Sequence, residues 1–143
     1  MSATALPGHI MHVMAGILVD PSGRVLLAQR PPGKHLAGFW EFPGGKLESD
    51  ETPLVALARE LREELGVSLR EARPLIQVPW QYGDLALWLD AWCVIDWHGH
   101  PESLEGQALQ WLPPAQIDPE ILTPADRPIL QALLAAHLPQ PRP

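Results

Sequence analysis

The segment from Gly44 to Val67, Gly-Gly-Lys-Leu-Glu-Ser-Asp-Glu-Thr-Pro-Leu-Val-Ala-Leu-Ala-Arg-Glu-Leu-Arg-Glu-Glu-Leu-Gly-Val, constrains this chain more than any other. It specifies a helix and then loads one side of it with like charge. Thr52 can cap that helix, Pro53 fits its first position, and Gly66 follows the last turn, where a left-handed residue is favoured. Leu54, Leu57, Ala58, Leu61 and Leu65 recur with the helical period and predict a buried stripe. Glu60, Glu63 and Glu64 fall within an arc of about 100° beside it, where like charges cost a few tenths of a kcal/mol per pair. Stability alone would interleave them with lysine.

Carboxylates gathered at the edge of a core are well compensated by a divalent cation, and an all-oxygen set suits Mg2+ or Mn2+ rather than Zn2+. Magnesium commonly shares its coordination with substrate phosphates, so the cluster points to phosphate chemistry. Gly44 and Gly45 let the backbone approach a metal or phosphate closely, and Lys46 adds a positive charge for phosphate oxygens. The competing reading is a charged face turned to solvent.

The whole spacing decides between them. Gly45, Glu51, Arg59-Glu60-Leu61, Glu63-Glu64 and Gly66-Val67 resemble, at every fixed position, the Nudix box of the Nudix hydrolases. The resemblance implies an α/β/α sandwich with a mixed central sheet, its box wrapped as loop, helix and loop around divalent metal. It also implies hydrolysis of a nucleoside diphosphate linked to another group. On that resemblance Glu60, Glu63 and Glu64 are metal ligands or base, and the Gly44 carbonyl is a further ligand. Arg59 orients the glutamates and Glu51 supports the loop. Members of the family differ in which glutamate takes the proton from water, so the base is left open among the three.

The flanking residues resemble the MutT branch of that family. Glu41-Phe42-Pro43-Gly44-Gly45-Lys46 is a complete match to a MutT segment, which implies that Phe42 lines a nucleobase pocket. Arg30, closing Leu26-Leu27-Ala28-Gln29-Arg30, resembles a nucleotide-contacting arginine. Glu105, in Ser103-Leu104-Glu105-Gly106-Gln107, resembles a loop glutamate that reaches the metal site as ligand or base. The stretch from Leu122 to Pro128 departs from the branch at one position, placing Asp126 where asparagine reads oxidised guanine. Asparagine offers a donor and an acceptor, whereas an ionised aspartate only accepts and can take a hydrogen from the cytosine amine. Protonation of Asp126 by burial would restore the donor.

The resemblance therefore implies hydrolysis of a nucleoside triphosphate to monophosphate and pyrophosphate, with 8-oxo-dGTP as the expected substrate. A pyrimidine triphosphate such as CTP is the alternative, and a non-catalytic nucleotide-binding module a third reading that the intact box disfavours.

The chain has 143 residues, enough for one domain over 1–143, and its 46% hydrophobic content fits a globular core. A net charge of -7 argues against a nucleic acid polymer as partner and makes bound cations necessary for a polyanionic substrate. Cys93 is the single cysteine and reads as an apolar filler. The six histidines have no metal-ligand spacing. No signal-like start or long apolar run is visible, so no membrane role, a cytoplasmic location and a monomer are expected.

Coarse elements follow from pattern. Ile10 to Val19 and the run resuming at Val25, around the turn Asp20-Pro21-Ser22-Gly23, read as a hairpin of the central sheet. Strands are predicted over 75–80, 85–95 and 108–112. Leu85, Leu87 and Leu89 share one face of the second, and Trp88, on the other, reads as the tryptophan best placed to stack on a base. A short helix is expected over 113–117 and a longer one over 125–138 with Ile129, Leu130, Leu133 and Leu134 buried. The last residues, Pro139 to Pro143, read as a frayed tail.

Overall fold

The structure, a computed structural model, describes residues 10–136. The tail from Pro139 and the end of the expected last helix at Leu138 lie outside them. Strand β1 (Ile10–Leu18) is the spine, paired in parallel with β6 (Leu85–His98) along its whole length and antiparallel with β4 (Gly44–Lys46) at its edge. Adding β5 (Ser68–Tyr82), antiparallel to β6, completes a mixed sheet of order β4-β1-β6-β5. A second sheet, β3-β2-β7, is antiparallel and built from β2 (Val25–Gln29), β3 (Trp40–Glu41) and β7 (Leu109–Leu112).

The expected hairpin is corrected by this topology. Its turn is real: Asp20 Oδ1 accepts the Ser22 and Arg24 N–H groups at 2.9 Å each, and Gly23 takes φ 82°. The two strands nevertheless meet only at a bridge between Val19 and Val25, and each continues into a different sheet. β1 has side chains to bury on both faces and β6 to pair with, so it belongs at the centre of its own sheet.

Alternation along β1 divides the interior. Met14 and Leu18 face one core with Leu26 and helix α1 (Pro53–Leu65), while Ala15, Ile17 and Val19 face the other with Val25, Leu27 and helix α2 (Arg127–Ala135). Sheets lie between helices, the expected α/β/α sandwich. Thr52 caps α1, its hydroxyl accepting the Val55 N–H at 3.4 Å, and Gly66 closes it at φ 72°. The buried face of α1 is Ala56, Leu57, Leu61 and Leu65 rather than the predicted stripe. Leu54 has the right angle but lies in the first turn, 40% exposed, where strands no longer cover it.

Other boundaries shift for local reasons. The segment 113–117 forms a 3-10 turn over Pro114–Gln116, and the expected long helix opens as a 3-10 turn over Pro124–Asp126 before α2 begins. Leu134 is 54% exposed, because it sits about 90° from the centre of the stripe set by Ile129, Leu130 and Leu133. β5 and β6 run longer than hydropathy alone shows. As an edge strand, β5 tolerates Pro74, Pro79 and its register shifts, which hide the strand from a pattern search. None of the six tryptophans is fully buried; Trp40 and Trp80 pack on the rim of the α2 core, and Trp92, Trp97 and Trp111 on that of α1. Among the described residues no helix is long and apolar enough to cross a membrane.

Candidate active site

Everything that positions the site converges on one cavity of about 560 Å³, a size that suits a nucleotide. Its floor is the β4 segment. A Cβ on Gly44, which has φ 156°, would come within 1.9 Å of the Met14 carbonyl oxygen, so β4 can pair with β1 this closely only with glycine there. At Gly45 a Cβ would meet the Glu60 carboxyl carbon at 2.4 Å. The two glycines thus serve different ends, one the sheet and the other the seat of a carboxylate.

Arg59 organises the acidic face of α1. Its Nε and Nη2 donate to the two oxygens of Glu51 at 2.6 and 2.9 Å, a two-pronged pairing. Nη1 donates to Glu60 at 3.0 Å and Glu63 at 3.1 Å, and Nη2 also reaches the Lys46 carbonyl at 3.0 Å. The guanidinium bonds hold the Glu51 carboxyl at a pKa of about 2, well below the usual range. Arg59 thus joins Glu51 and the Lys46 backbone to two of the glutamates of α1.

Glu60, Glu63, Glu64 and Glu105 all line the cavity, as do Gly44 and Lys46. Glu63 is its half-exposed rim. Burial pushes the Glu64 carboxyl far up, and the nearby charges of Glu60, Glu105 and Glu41 push it further. No basic side chain pairs with Glu64 among the described residues. Nor do any three His, Cys, Asp or Glu side chains among them stand in ready-made ligand geometry. Arg59 holds Glu60 and Glu63 back, so the carboxylates are gathered without being converged. An uncompensated buried carboxylate among acidic neighbours, with all-oxygen donors around it, fits a hard divalent cation.

The cavity is also lined by apolar side chains and by a further carboxyl, that of Asp126. Phe42 is 3% exposed and lines it, with Leu85, Leu87 and Leu89 of β6. Asp126 sits at the start of α2 but makes no capping bond; its Oδ2 instead accepts the Phe42 N–H at 2.8 Å. Burial, and then the charge of Glu41, raise its pKa to about 7 against the pull of the Phe42 N–H, Thr123 and Arg30. Arg30 closes the wall, its Nε donating to the His35 carbonyl at 2.6 Å and its Nη1 to Glu41 at 3.0 Å.

Trp88 is corrected. Strand alternation that sends Leu87 and Leu89 into the cavity sends Trp88 to the other face of β6, and it is not part of the lining. Glu41 and Gln107 do line it and were not singled out in the sequence. Glu41 lay in view inside the Glu-Phe-Pro-Gly-Gly-Lys segment, whereas Gln107 gave no signal beyond its neighbour Glu105. Cys93 is buried and its thiol is pushed up to about 11, which makes it inert as expected.

The NUDIX domain profile matches residues 14–132. The chain is 40% identical over 132 residues to the CTP pyrophosphohydrolase of Escherichia coli strain K12, covering 92% of this chain and 97% of that protein. It is 44% identical over 87 residues to the 8-oxo-dGTP diphosphatase of Proteus vulgaris, covering 61% of this chain and 78% of that one. A solved MutT structure, from work on Aliivibrio salmonicida and Vibrio cholerae, matches with TM-score 0.75 and 31% identity, covering 89% of this chain and 98% of that chain. With its acidic helix face turned into one cavity and the family profile spanning most of its length, the chain belongs to the Nudix hydrolases, in their MutT-like branch.

Proposed function

We propose that the protein is a metal-dependent nucleoside triphosphate pyrophosphohydrolase acting on 8-oxo-dGTP, releasing 8-oxo-dGMP and pyrophosphate. The observation that carries this reading is one cavity lined both by an uncompensated acidic cluster and by a further buried carboxyl, Asp126. Nudix hydrolases generally need a divalent metal, and the donors here suit Mg2+ or Mn2+ held by the Gly44 carbonyl, Glu60, Glu63, Glu64 and Glu105. Bound there, the ion supplies charge compensation for phosphate oxygens and activation of the attacking water.

The chain's own residues do the rest. Arg59 fixes the bearing of Glu60 and Glu63, and a glutamate of the set accepts the proton of the water that attacks phosphorus in line. Lys46 offers its charge to the phosphates, and Arg30 retains Nη2 for the nucleotide, since that nitrogen makes no hydrogen bond among the described residues. Phe42 and the β6 leucines enclose the base. Asp126, titrating near neutrality, offers in its protonated form the donor and acceptor that N7-H and O6 of 8-oxoguanine require.

CTP is the second reading. It is favoured by the same carboxyl, which when ionised accepts from the cytosine amine, and by the named activity of the Escherichia coli relative. In either case we infer a monomer of one domain working on free nucleotides in the cytoplasm, since the net charge of -7 repels nucleic acid polymers. Glu63→Gln tests the enzyme against a mere nucleotide binder. Loss of Mg2+-dependent pyrophosphate release with an unchanged melting temperature is expected, and wild-type turnover would remove the acidic face from the reaction.

A further inference from the structure

Gln107 is a polar side chain buried to 8% exposure whose amide bonds to the protein at both its oxygen and its nitrogen. Its Oε1 accepts the Glu105 backbone N–H at 3.0 Å, and lies 3.0 Å from the Ser103 hydroxyl, which it shares with the Gln107 backbone carbonyl at 2.5 Å. Its Nε2 donates to the backbone carbonyl of Glu64 at 3.2 Å. These partners fix the orientation of the amide, because only oxygen can accept from an N–H and only nitrogen can donate to a carbonyl. The loop around it is docked on the end of α1 in the same way. Glu102 N–H donates to the Leu65 carbonyl at 3.0 Å and Leu104 N–H to that of Glu64 at 3.1 Å, satisfying carbonyls that have no partner within the helix.

One side chain therefore holds the backbones of two cavity carboxylates that are remote in sequence. Glu64 comes from the helix and Glu105 from a loop whose next residue, Gly106, takes φ 76°. When both are ionised the two carboxylates repel each other, and the Gln107 amide adds a side-chain tie between loop and helix beside the Glu102 and Leu104 backbone bonds. We propose that Gln107 is a positioning residue that ties the Glu105 loop to the Glu64 end of α1, so that both carboxylates line the cation site. This rests on the cation site proposed above. Gln107 lines the cavity, but its amide bonds run to the protein, so the role given to it is exercised through Glu105.

The test is a Mn2+ titration of the nucleotide-free protein, with free ion followed by electron paramagnetic resonance and a thermal melt of each variant. In Gln107→Asn the same amide sits on a stem one methylene shorter and cannot span from the Glu105 N–H to the Glu64 carbonyl. Gln107→Met keeps the volume and loses every bond. Either change is expected to raise the half-saturating Mn2+ concentration about tenfold. Glu105→Gln is expected to raise it at least as much, and the double variant Gln107→Asn/Glu105→Gln no further, because the first change acts only through the second. A folded Gln107 variant within twofold of wild type, while Glu105→Gln weakens binding, overturns this proposal alone. So does a lower melting temperature with unchanged Mn2+ binding, or losses that add in the double variant. If Glu105→Gln has no effect, the part given to Glu105 falls with it; if wild type binds no Mn2+, so does the cation site.

Discussion

At Asp126 a buried carboxyl with a pKa raised to about 7 lines the cavity, and its two protonation states would present different edges to a nucleobase bound there. The protonated form suits 8-oxoguanine and the ionised form suits the cytosine amine. Activity on 8-oxo-dGTP should therefore fall as pH rises through about 7, while activity on CTP rises. Asp126→Asn should keep the first activity, remove its pH dependence and lower the second about tenfold or more. Profiles of kcat/KM for both substrates check this, and an unshifted profile in the variant would show that Asp126 does not meet the base. Stability carries the same sign. An acid whose folded pKa lies above its unfolded value stabilises the fold at low pH, and that contribution is lost between about pH 4 and 7. The identity of Asp126 was legible in the sequence through its place in the Leu122 to Pro128 segment. Its burial and its bond to Phe42 were not, because they depend on contact between β3 and a turn far along the chain.

Elements show how neighbouring glycines in one motif separate fold from site. Gly44→Ala drives a Cβ into the Met14 carbonyl, so β4 must leave β1, and a loss of about 1–3 kcal/mol or more is expected by denaturant melt. Gly45→Ala instead meets the tip of a flexible glutamate, which can swing. Its melting temperature should hardly move while kcat falls by about tenfold or more, because Glu60 is displaced. Equal stability losses at both positions would contradict this division. Helix α1 was the most legible element, since cap, Pro53, Gly66 and periodicity agree at every level. Leu54 and Leu134 were misassigned because periodicity gives the angle of a face but not how far a sheet extends beneath it. Strand alternation likewise placed Leu85, Leu87 and Leu89 together but could not say which face would line the cavity, and Trp88 fell on the other.

For the whole molecule, a net charge of -7 with six acidic side chains lining one cavity means that these carboxylates oppose their own assembly. A cation that binds only the folded state should relieve this. At a hundred times its dissociation constant Mg2+ would add about 2.7 kcal/mol, a rise in melting temperature on the order of several degrees that a chelator reverses. No shift with either Mg2+ or Mn2+ would contradict the cation site. The sandwich itself followed from the resemblance carried by the box, but the division into two sheets did not. It arises because β1 must bury both faces, a demand visible only once β6 is known to run parallel to it. We propose that this cavity hydrolyses a nucleoside triphosphate chosen by its base through Asp126. The most direct test is kcat/KM with Mg2+ for 8-oxo-dGTP, dGTP and CTP side by side. The value for 8-oxo-dGTP is expected to exceed that for dGTP by at least about a hundredfold, the discrimination a hydrogen-bonding pocket can deliver. Equal rates for all three would contradict it, since a carboxyl that reads the base cannot leave them alike.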